Sequence, residues 1–282
     1  ENVTIDKSLT LSGAQAGVDP RPSVGGRTGD EAVIDGGGSS CITVTADDVV
    51  IDGFTLTNAG DSEFEDSMFR PPLFRPGHGC VSILPSHERI SVRNNALLQS
   101  GYGVWIDDHS QYVLVETNVM SDCDYGVYVR YCEYGEVAPT ITKNDFYDDI
   151  YGIYARYIQL GSSQVFITEN YFEGRGDVHY PFKAAYGIYA REASIHVKDN
   201  KFVKCGMCGM DSYTHGGAIA GVSSMSASGW KDIKRSVIED NVIIAGDGSA
   251  IEGYFCNFLV RNNEITQLAG GYDCALWIRG GT

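Results

Sequence analysis

The sequence lacks long apolar runs, long helical patterns and an excess of positive charge. No apolar stretch in its 282 residues approaches the length of a membrane-spanning helix. Lysine and arginine number 21 against 37 aspartates and glutamates, which gives a net charge of −16. Because nucleic acids and anionic membranes are bound through basic surfaces, the sequence predicts neither partner. The composition suits a soluble protein in an extracellular, cell-surface or cell-envelope setting.

The sequence also lacks a secretion signal and a recognisable cap at either end. Strand-like sequence begins at Val3 without a preceding amphipathic helix, and the chain stops in mid-coil over residues 277–282. We expect a processed or trimmed product, and the loss of a secretion signal is compatible with this. Either flanking sequence has been removed or neighbouring molecules cover the ends. The second alternative would produce a polymer with head-to-tail contacts.

The cysteines are even in number but carry no strong metal motif. An even count is compatible with disulfides in an oxidising compartment and with buried thiols inside a cell. The disulfide candidates, without assigned pairs, are Cys41, Cys80, Cys123, Cys132, Cys205, Cys208, Cys256 and Cys274. A metal or redox site at Cys205, Cys208 and His215 is a weaker interpretation than disulfides there, since a second cysteine pair is absent.

What the sequence does have is a repeat. One short pair of phrases, an asparagine turn followed by Tyr-Gly-Ile/Val-Tyr-Ala/Val-Arg, recurs through the middle of the chain. Aligned on one position, the copies are anchored at Phe54, Asn95, Asn118, Asn144, Asn170, Asn200, Asn241 and Asn263. A unit this short cannot bury its own apolar face, so successive copies must stack. We expect the seven asparagines to form a hydrogen-bonded ladder at a bend, where asparagine tolerates left-handed backbone geometry.

Two apolar positions accompany every anchor. Three residues before it stand Ile51, Val92, Val115, Ile141, Ile167, Val197, Ile238 and Val260. Two residues after it stand Leu56, Leu97, Met120, Phe146, Phe172, Phe202, Ile243 and Ile265. This arrangement predicts one inward side chain on each side of a bend, as in a coil of a β-helix.

These repeats resemble the right-handed parallel β-helix proteins, which include the pectin-lyase-like superfamily and NosD-like archaeal or bacterial cell-surface proteins. The segment 7–13, followed by Val33-Ile34-Asp35-Gly36, is similar to the entry of such proteins. The resemblance implies an all-β, single-stranded right-handed solenoid of about nine or ten coils. We expect one domain over residues 1–282, with insertions near 58–77, 174–185 and 206–234. Lyases, hydrolases, epimerases, adhesins, phage spikes and envelope components share this fold, so it leaves function open.

Alternation along the strand of each Tyr-Gly phrase predicts an outward aromatic file beside an arginine file. The residues of this face are Trp105, Tyr128, Arg130, Tyr154, Arg156, Tyr189, Arg191, Trp277 and Arg279, with Ile219 and Ile251 interrupting the aromatic row. Aromatic rings stack on sugars, and arginine pairs with carboxylate or sulfate, so the face suits an acidic glycan. Two alternatives stay open: a ladder that satisfies itself through stacking and ion pairs, and a surface that docks another protein.

No motif assigns catalytic residues. If the chain is a polysaccharide lyase, epimerase or glycoside hydrolase, Asp107, Tyr128, Arg130, Tyr154 and Arg156 are the candidates. The pieces Asp107-Asp108-His109 and Gly77-His78-Gly79 resemble parts of polygalacturonase sites, but in reversed order, and turn residues explain them better.

No cofactor is expected, although one cation site is conceivable. Calcium could bind through Asp122, Asp124, Asp145, Asp148 and Asp149, which more often would form a solvated face.

The favoured hypothesis is a secreted or cell-surface structural protein that self-assembles into an envelope, sheath or filament-like layer, with disulfides as reinforcement. The alternative is a polysaccharide-active enzyme, or a non-catalytic glycan-binding module, that uses the Tyr/Arg face. The expected partners are accordingly further copies of this chain or an acidic polysaccharide.

Overall fold

The computed structural model describes residues 2–60, 78–132, 135–158, 163–174, 186–191, 193–205, 219–222, 235–245, 250–254, 258–267 and 275–279. Within these ranges the chain forms 28 strands, numbered β1 to β28 in chain order, and one 3-10 helix, Pro22–Val24. The strands belong to three parallel sheets. Each coil contributes one strand to each sheet in turn, so the chain winds as a β-helix.

Sheet A holds ten strands. They are β1 (Val3–Ile5), β4 (Ile42–Val44), β7 (Gly79–Ile83), β10 (Tyr102–Ile106), β13 (Tyr125–Cys132), β16 (Tyr151–Ile158), β19 (Tyr186–Arg191), β22 (Ile219–Val222), β25 (Ile251–Tyr254) and β28 (Leu276–Arg279). The ten strands confirm the predicted number of coils.

Sheets B and C hold nine strands each. Sheet B consists of β2 (Leu9–Ser12), β5 (Val49–Asp52), β8 (Ser91–Arg93), β11 (Leu114–Glu116), β14 (Thr140–Thr142), β17 (Val165–Thr168), β20 (Ile195–Lys198), β23 (Ser236–Glu239) and β26 (Phe258–Arg261). Sheet C consists of β3 (Ala32–Asp35), β6 (Phe54–Thr57), β9 (Ala96–Leu98), β12 (Val119–Ser121), β15 (Asp145–Tyr147), β18 (Tyr171–Glu173), β21 (Lys201–Val203), β24 (Val242–Ala245) and β27 (Glu264–Gln267).

The interior is a continuous apolar column. The two apolar positions predicted around each anchor point into it and are buried in the coils from β5 to β24, while Val260 and Ile265 of the last coil are partly buried. Along the stack, identical positions hold similar side chains: the Phe146, Phe172 and Phe202 rings stack with centroids 4.6 Å apart. Burial of this column provides the main driving force for coiling.

The predicted asparagine ladder is present where sheet B turns into sheet C. Each side-chain oxygen accepts a hydrogen bond from the backbone N–H of the preceding ladder asparagine and one from its side-chain amide. Between Asn118 and Asn144 both donor–acceptor distances are 3.0 Å. The same pattern joins Asn95, Asn118, Asn144, Asn170, Asn200, Asn241 and Asn263, and Phe54 donates its N–H to the first.

The left-handed backbone conformation lies one residue before each ladder asparagine, which corrects the prediction that the asparagine adopts it. The φ angles are 81° at Gly53, 51° at Asn94, 52° at Thr117, 54° at Lys143, 56° at Glu169, 55° at Asp199, 57° at Asp240 and 55° at Asn262. A single left-handed residue makes the bend, and the asparagine that follows directs its amide into the stack. Apart from Gly53, which is buried, the left-handed residue is half-buried or exposed, while the asparagine amide fills a hydrogen-bonding role in the stack.

A file of glycines faces the phenylalanine file across the interior. A Cβ atom on Gly152 would lie 2.6 Å from the Gly187 carbonyl oxygen and 2.8 Å from Cδ1 of Phe172. Gly126 has the same relation to Gly152 and Phe146. The glycine of the Tyr-Gly phrase is thus required for space inside the coil, and not to ease a turn.

Residues 13–31 leave the first coil and cross several later ones on the outside of the bend between sheets B and C. The Gly17 N–H donates to Asp52, and the Arg27 guanidinium donates to the carbonyl oxygens of Phe54 and Asn94. Farther along the stack, the N–H and hydroxyl of Ser23 donate to the two carboxylate oxygens of Asp145 at 3.0 and 2.8 Å. This strap links coils that are not neighbours.

The predicted insertions fall mainly outside the described residues, which exclude 61–77, 175–185, 206–218 and 223–234. The third predicted insertion is wrong in one respect: residues 219–222 within it form a strand of sheet A. In the described ranges no helix is long and apolar enough to cross a membrane.

We predict that Asn144→Ala lowers the free energy of unfolding by roughly 2–4 kcal/mol, because it removes a buried acceptor for Asn118 and a donor to the Val115 carbonyl. Urea denaturation followed by circular dichroism measures the change. Lys143→Gly is the matched control: it removes the strained side chain beside the ladder and should alter stability by less than about 1 kcal/mol. Equal costs for the two variants would contradict the ladder's role.

We also predict that Gly152→Ala destabilises the protein by about 1–3 kcal/mol, because the added methyl group overlaps the Phe172 ring and the Gly187 carbonyl. Phe172→Leu should relieve part of that overlap, so the double variant should lose less stability than the sum of the two single variants. Strictly additive losses in the same denaturation assay would show that the glycine is not there to admit the ring.

Candidate functional site at the end of sheet A

The outer face of sheet A carries two parallel aromatic files. Register aligns Tyr102, Tyr125, Tyr151 and Tyr186 in one file, and Trp105, Tyr128, Tyr154 and Tyr189 in the other. Ring centroids within the files are 4.5 to 5.2 Å apart and the rings are stacked. Between the files the rings meet edge to face, for example Tyr125 and Tyr128 at 5.5 Å. The residues of the predicted aromatic file stack in register, and a second file lies beside it.

These rings form a buried cluster that is separate from the interior column. Trp105 is 1% exposed, and Tyr154, among the more accessible of the buried rings, is 9% exposed. The open groove expected for this face is therefore not observed, although the side chains do project away from the coil interior. Among the described residues of this layer, the Nε1 donor of Trp105 is buried without a hydrogen-bond partner.

The predicted arginine file aligns Arg130, Arg156 and Arg191, with Asp107 at the same register position in the coil before. Arg130 is 9% exposed, and its guanidinium lies 3.2 Å from Asp108 and 4.0 Å from Asp107. Arg156 contacts the hydroxyl of Tyr157 at 2.8 Å and lies over its ring. The sequence left three interpretations of this face open: a glycan-binding surface, a ladder that satisfies itself and a protein-docking surface. The stacking, ion pairs and cation–π contacts agree with the ladder that satisfies itself.

The strand register corrects the predicted aromatic row in the coils after β19 of sheet A. Tyr189 aligns with Ala220, then Glu252, then Trp277. The interrupting residues are thus Ala220 and Glu252, one position after the predicted Ile219 and Ile251. Ile251 is fully buried in the interior column. Trp277 and Arg279 hold the predicted register positions in the last strand.

The more accessible chemistry lies at the edge where sheet A ends and turns toward sheet B. We call this group the exit edge; it consists of Asp107, Asp108, His109, Arg130, Tyr131, Glu136 and Tyr157. Asp107 and Asp108 directly follow strand β10. The Asp107 carboxylate accepts the N–H of Asp108 at 2.9 Å. Both acids also lie beside the same arginine, Arg130.

The two acids of the exit edge differ in environment. Burial raises the pKa of Asp108 above its ordinary value, opposed by the positive charge of Arg130 and reinforced by the negative charge of Asp107. A carboxyl group with a raised pKa retains its proton closer to neutral pH, as a proton donor must.

A third carboxylate comes from the next coil. The Oε1 atom of Glu136 lies 3.0 Å from Nδ1 of His109, within hydrogen-bond distance. The His109 ring meets Tyr131 edge to face at 5.5 Å, and Tyr131 meets Tyr157 at 6.1 Å. These three rings form a partly exposed aromatic file beside the acids. Such a combination of carboxylates and ring faces suits a sugar substrate.

Sequence reasoning missed Tyr131, Glu136 and Tyr157, and it interpreted Asp108 and His109 as turn residues. A signal was available, since the dipeptide Arg-Tyr recurs as Arg130-Tyr131 and Arg156-Tyr157, one residue beyond the repeat phrase. Of the conditional catalytic set, the structure brings together Asp107 and Arg130. It stacks Tyr128 and Tyr154 in the buried layer, and it places Arg156 beside Tyr157.

The described cysteines are thiols, contrary to the expected disulfides. Cys41, Cys80, Cys123, Cys132 and Cys205 are free and buried. Burial raises the pKa of Cys132 and of Cys205 to about 12. Their short side chains fill interior positions, for instance with the Cys205 thiol directed at the Val203 carbonyl. Cys208, Cys256, Cys274 and His215 lie outside the described residues.

The five aspartates proposed for calcium are not brought together. Asp145 is engaged by Ser23 of the strap, and Asp149 accepts the N–H of Cys123 at 2.8 Å. Asp122 and Asp148 occupy left-handed bend positions. No group of three or more potential metal ligands converges within the described part of the chain.

The sequence matches the family described as right handed beta helix region over residues 33–223 and 102–282. The chain belongs to this family. The right-handed β-helix class predicted from the repeats is thereby confirmed. No curated protein matches the sequence.

Solved structures similar to this β-helix chain include three named proteins. DFA-IIIase from Arthrobacter chlorophenolicus A6, without its lid and in complex with GF2, has a TM-score of 0.50 at 12% identity, covering 99% of this chain and 79% of that one. Alginate lyase from Paenibacillus sp. str. FPU-7 has a TM-score of 0.38 at 12% identity, covering 99% of each chain. The Streptococcus pneumoniae surface protein and adhesin PfbA has a TM-score of 0.33 at 14% identity, covering 96% of this chain and 85% of that one. At 12% identity, the likeness to DFA-IIIase is one of fold.

We predict that the stability gained by Asp108→Asn increases as pH rises from about 3 to about 7. Since the folded protein holds the Asp108 proton more tightly than the unfolded chain, the carboxyl stabilises the fold at low pH, and this contribution is lost as pH rises through its raised pKa. Asparagine cannot ionise, so the variant avoids that loss. Thermal melts of both proteins across this range measure the difference, with exposed Asp6→Asn as control. A stability difference between Asp108→Asn and the parent protein that is constant or decreases as pH rises would contradict a raised pKa of Asp108.

Proposed function

We propose that this chain is a carbohydrate-active enzyme that binds a neutral oligosaccharide or polysaccharide at the exit edge and hydrolyses a glycosidic bond there. The observation that carries the proposal is the pairing of a carboxyl of raised pKa, Asp108, with other carboxylates beside a partly exposed aromatic file. The likeness of fold to DFA-IIIase, whose structure is in complex with GF2, supports it. The sequence favoured a structural role, and the geometry of the exit edge favours the alternative.

A neutral substrate fits the charges better than the acidic polysaccharide considered from the sequence. Arg130 is already paired with Asp107 at 4.0 Å, and Arg156 donates a hydrogen bond to the Tyr157 hydroxyl. With the chain at a net charge of −16 and with Asp107, Asp108 and Glu136 lining the exit edge, a polyanion would meet net repulsion there.

In the proposed reaction, Asp108 gives its proton to the glycosidic oxygen as the bond from that oxygen to the anomeric carbon breaks. Glu136, on the neighbouring coil, takes a proton from a water molecule whose oxygen joins the anomeric carbon. The products are two shorter sugars, and water supplies the added hydrogen and hydroxyl. Arg130 and Asp107 position Asp108, while the rings of Tyr131 and Tyr157 provide stacking faces for sugars on either side of the bond.

Asp108→Asn should lower the release of new reducing ends by at least about 100-fold, with little change in sugar binding, because it removes the proton donor but keeps the side-chain shape. Tyr131→Ala with Tyr157→Ala should instead weaken binding. The assay is a panel of neutral and anionic oligosaccharides, followed by reducing-end release and by calorimetry. Asp6→Asn, an exposed carboxylate of the first coil, serves as control.

Neither hydrolysis nor binding across the panel would refute the proposal. Binding without reducing-end release by the parent protein would leave a glycan-binding module in place of an enzyme, and unchanged turnover in Asp108→Asn would refute Asp108 as the proton donor. Appearance of unsaturated products, detected by their new ultraviolet absorbance, would replace hydrolysis by a lyase reaction.

Self-assembly into an envelope, sheath or filament-like layer remains a prediction, as does an extracellular or cell-surface location.

A further inference from the structure

The outer face of sheet B carries a file of alternating charge. Register places one outward residue of each strand in line, from β5 to β26: Asp52, Arg93, Glu116, Thr142, Thr168, Lys198, Glu239 and Arg261. The signs run negative, positive, negative, then two neutral threonines, then positive, negative, positive. We call these eight residues the charge file.

Ion pairs within the chain explain the alternation inside each half of the charge file. Arg93 pairs with Asp52 at 3.1 Å, and Arg261 pairs with Glu239. These pairs do not explain why the order of signs reverses across Thr142 and Thr168, from negative-positive-negative to positive-negative-positive. We call this change the phase reversal. Glu116 and Lys198, which border the threonines, lie on strands three coils apart, about 14 Å from each other. Glu116 has no salt bridge within the described part of the chain, whereas Lys198 lies 3.7 Å from the half-buried Asp240.

The phase reversal makes the file self-complementary. We propose that a second copy of this chain docks face to face on sheet B, with its coils running in the opposite direction and a two-fold axis between Thr142 and Thr168. Glu116 then faces Lys198 of the second copy, and Arg93 and Arg261 face the ion-paired carboxylates of Glu239 and Asp52, which are 6% and 5% exposed. Such an isologous contact repeats each pair twice and closes as a dimer, unlike a head-to-tail polymer.

The register of this contact is fixed by repulsion. A slip of one strand in one direction sets Arg93 against Lys198 and Asp52 against Glu239 of the second copy. A slip in the other direction sets Glu116 against Glu239 and Arg93 against Arg261. Like charges face each other in both cases, so the charge file excludes the neighbouring registers as well as favouring one.

The adjacent residues suit the same contact. Beside the charge file runs a second outward file of half-buried or exposed, mostly apolar residues: Val50, Ser91, Leu114, Thr140, Phe166, His196, Val237 and Leu259. Phe166 is 38% exposed. The two-fold axis would cover Phe166 with Thr140, and Leu259 with Val50. Face-to-face sheets lie about 10 Å apart, a distance that a glutamate and a lysine side chain can span together.

A charge swap between Glu116 and Lys198 tests the proposal. Sedimentation velocity of the full chain over a range of concentrations should show a dimer whose Kd rises with salt. Glu116→Lys and Lys198→Glu should each raise that Kd at least about 10-fold, because each breaks two pairs. The double variant should recover the dimer. Since the two residues are too far apart to pair within one chain, recovery identifies a contact between copies.

Controls and contrary outcomes are distinct. Lys201→Glu and Glu264→Lys alter exposed charges of sheet C and should leave the dimer unchanged. Circular dichroism melts establish that each variant is folded. A parent protein that stays monomeric, single variants that remain dimeric, or a folded double variant that stays monomeric would each overturn the proposal. The glycan assays are independent of this result.

Discussion

The hydrogen bonds of the asparagine ladder are the constraint on which the rest of this structure depends. A ladder oxygen receives two bonds from the coil before it, and its amide returns bonds to backbone carbonyls that would otherwise be buried without partners. The cost of leaving such groups unpaired is comparable to a substantial fraction of the stability of a domain. Each coil is therefore held in register with the next at one corner, whatever the lengths of the loops elsewhere. Spacings from 22 to 41 residues between ladder positions are accommodated in this way.

Strict register turns sequence repeats into surface files. Once corners are aligned, equivalent positions in neighbouring coils lie about 4.8 Å apart, close enough for rings to stack and for opposite charges to pair. The three outer faces use this differently. Sheet A stacks aromatic rings and buries them, sheet B alternates charges, and the strap of residues 13–31 crosses the bend between sheets B and C. The interior is nearly uniform by comparison, because one column of apolar side chains must fit all coils.

The interior and the ladder were predictable from sequence because both depend on local, periodic information. Ile141, Asn144 and Phe146 keep the same spacing as their equivalents in the other coils. The side chain at each of these positions points in the same direction in every coil. Where the period breaks, local information fails, and the aromatic register after Tyr189 was therefore placed one residue early, at Ile219. The role of Gly152 depends on the Phe172 ring in another coil. Burial of Tyr128 was also unpredictable, because alternation specifies direction and not exposure.

The candidate site illustrates where function is to be sought in such a protein. Residues that repeat faithfully, such as Tyr128 and Tyr154, satisfy one another and are buried. The exit edge, in contrast, is built where the repeat ends: Asp108 and His109 follow a short strand, while Tyr131 lies near the end of a longer strand and Glu136 follows it. Unequal strand lengths in adjacent coils bring unlike groups together, and unlike groups are what acid–base chemistry needs. The two proposals therefore depend on different features of the chain. The charge file requires a regular register between coils, whereas the exit edge forms where the repeat is interrupted.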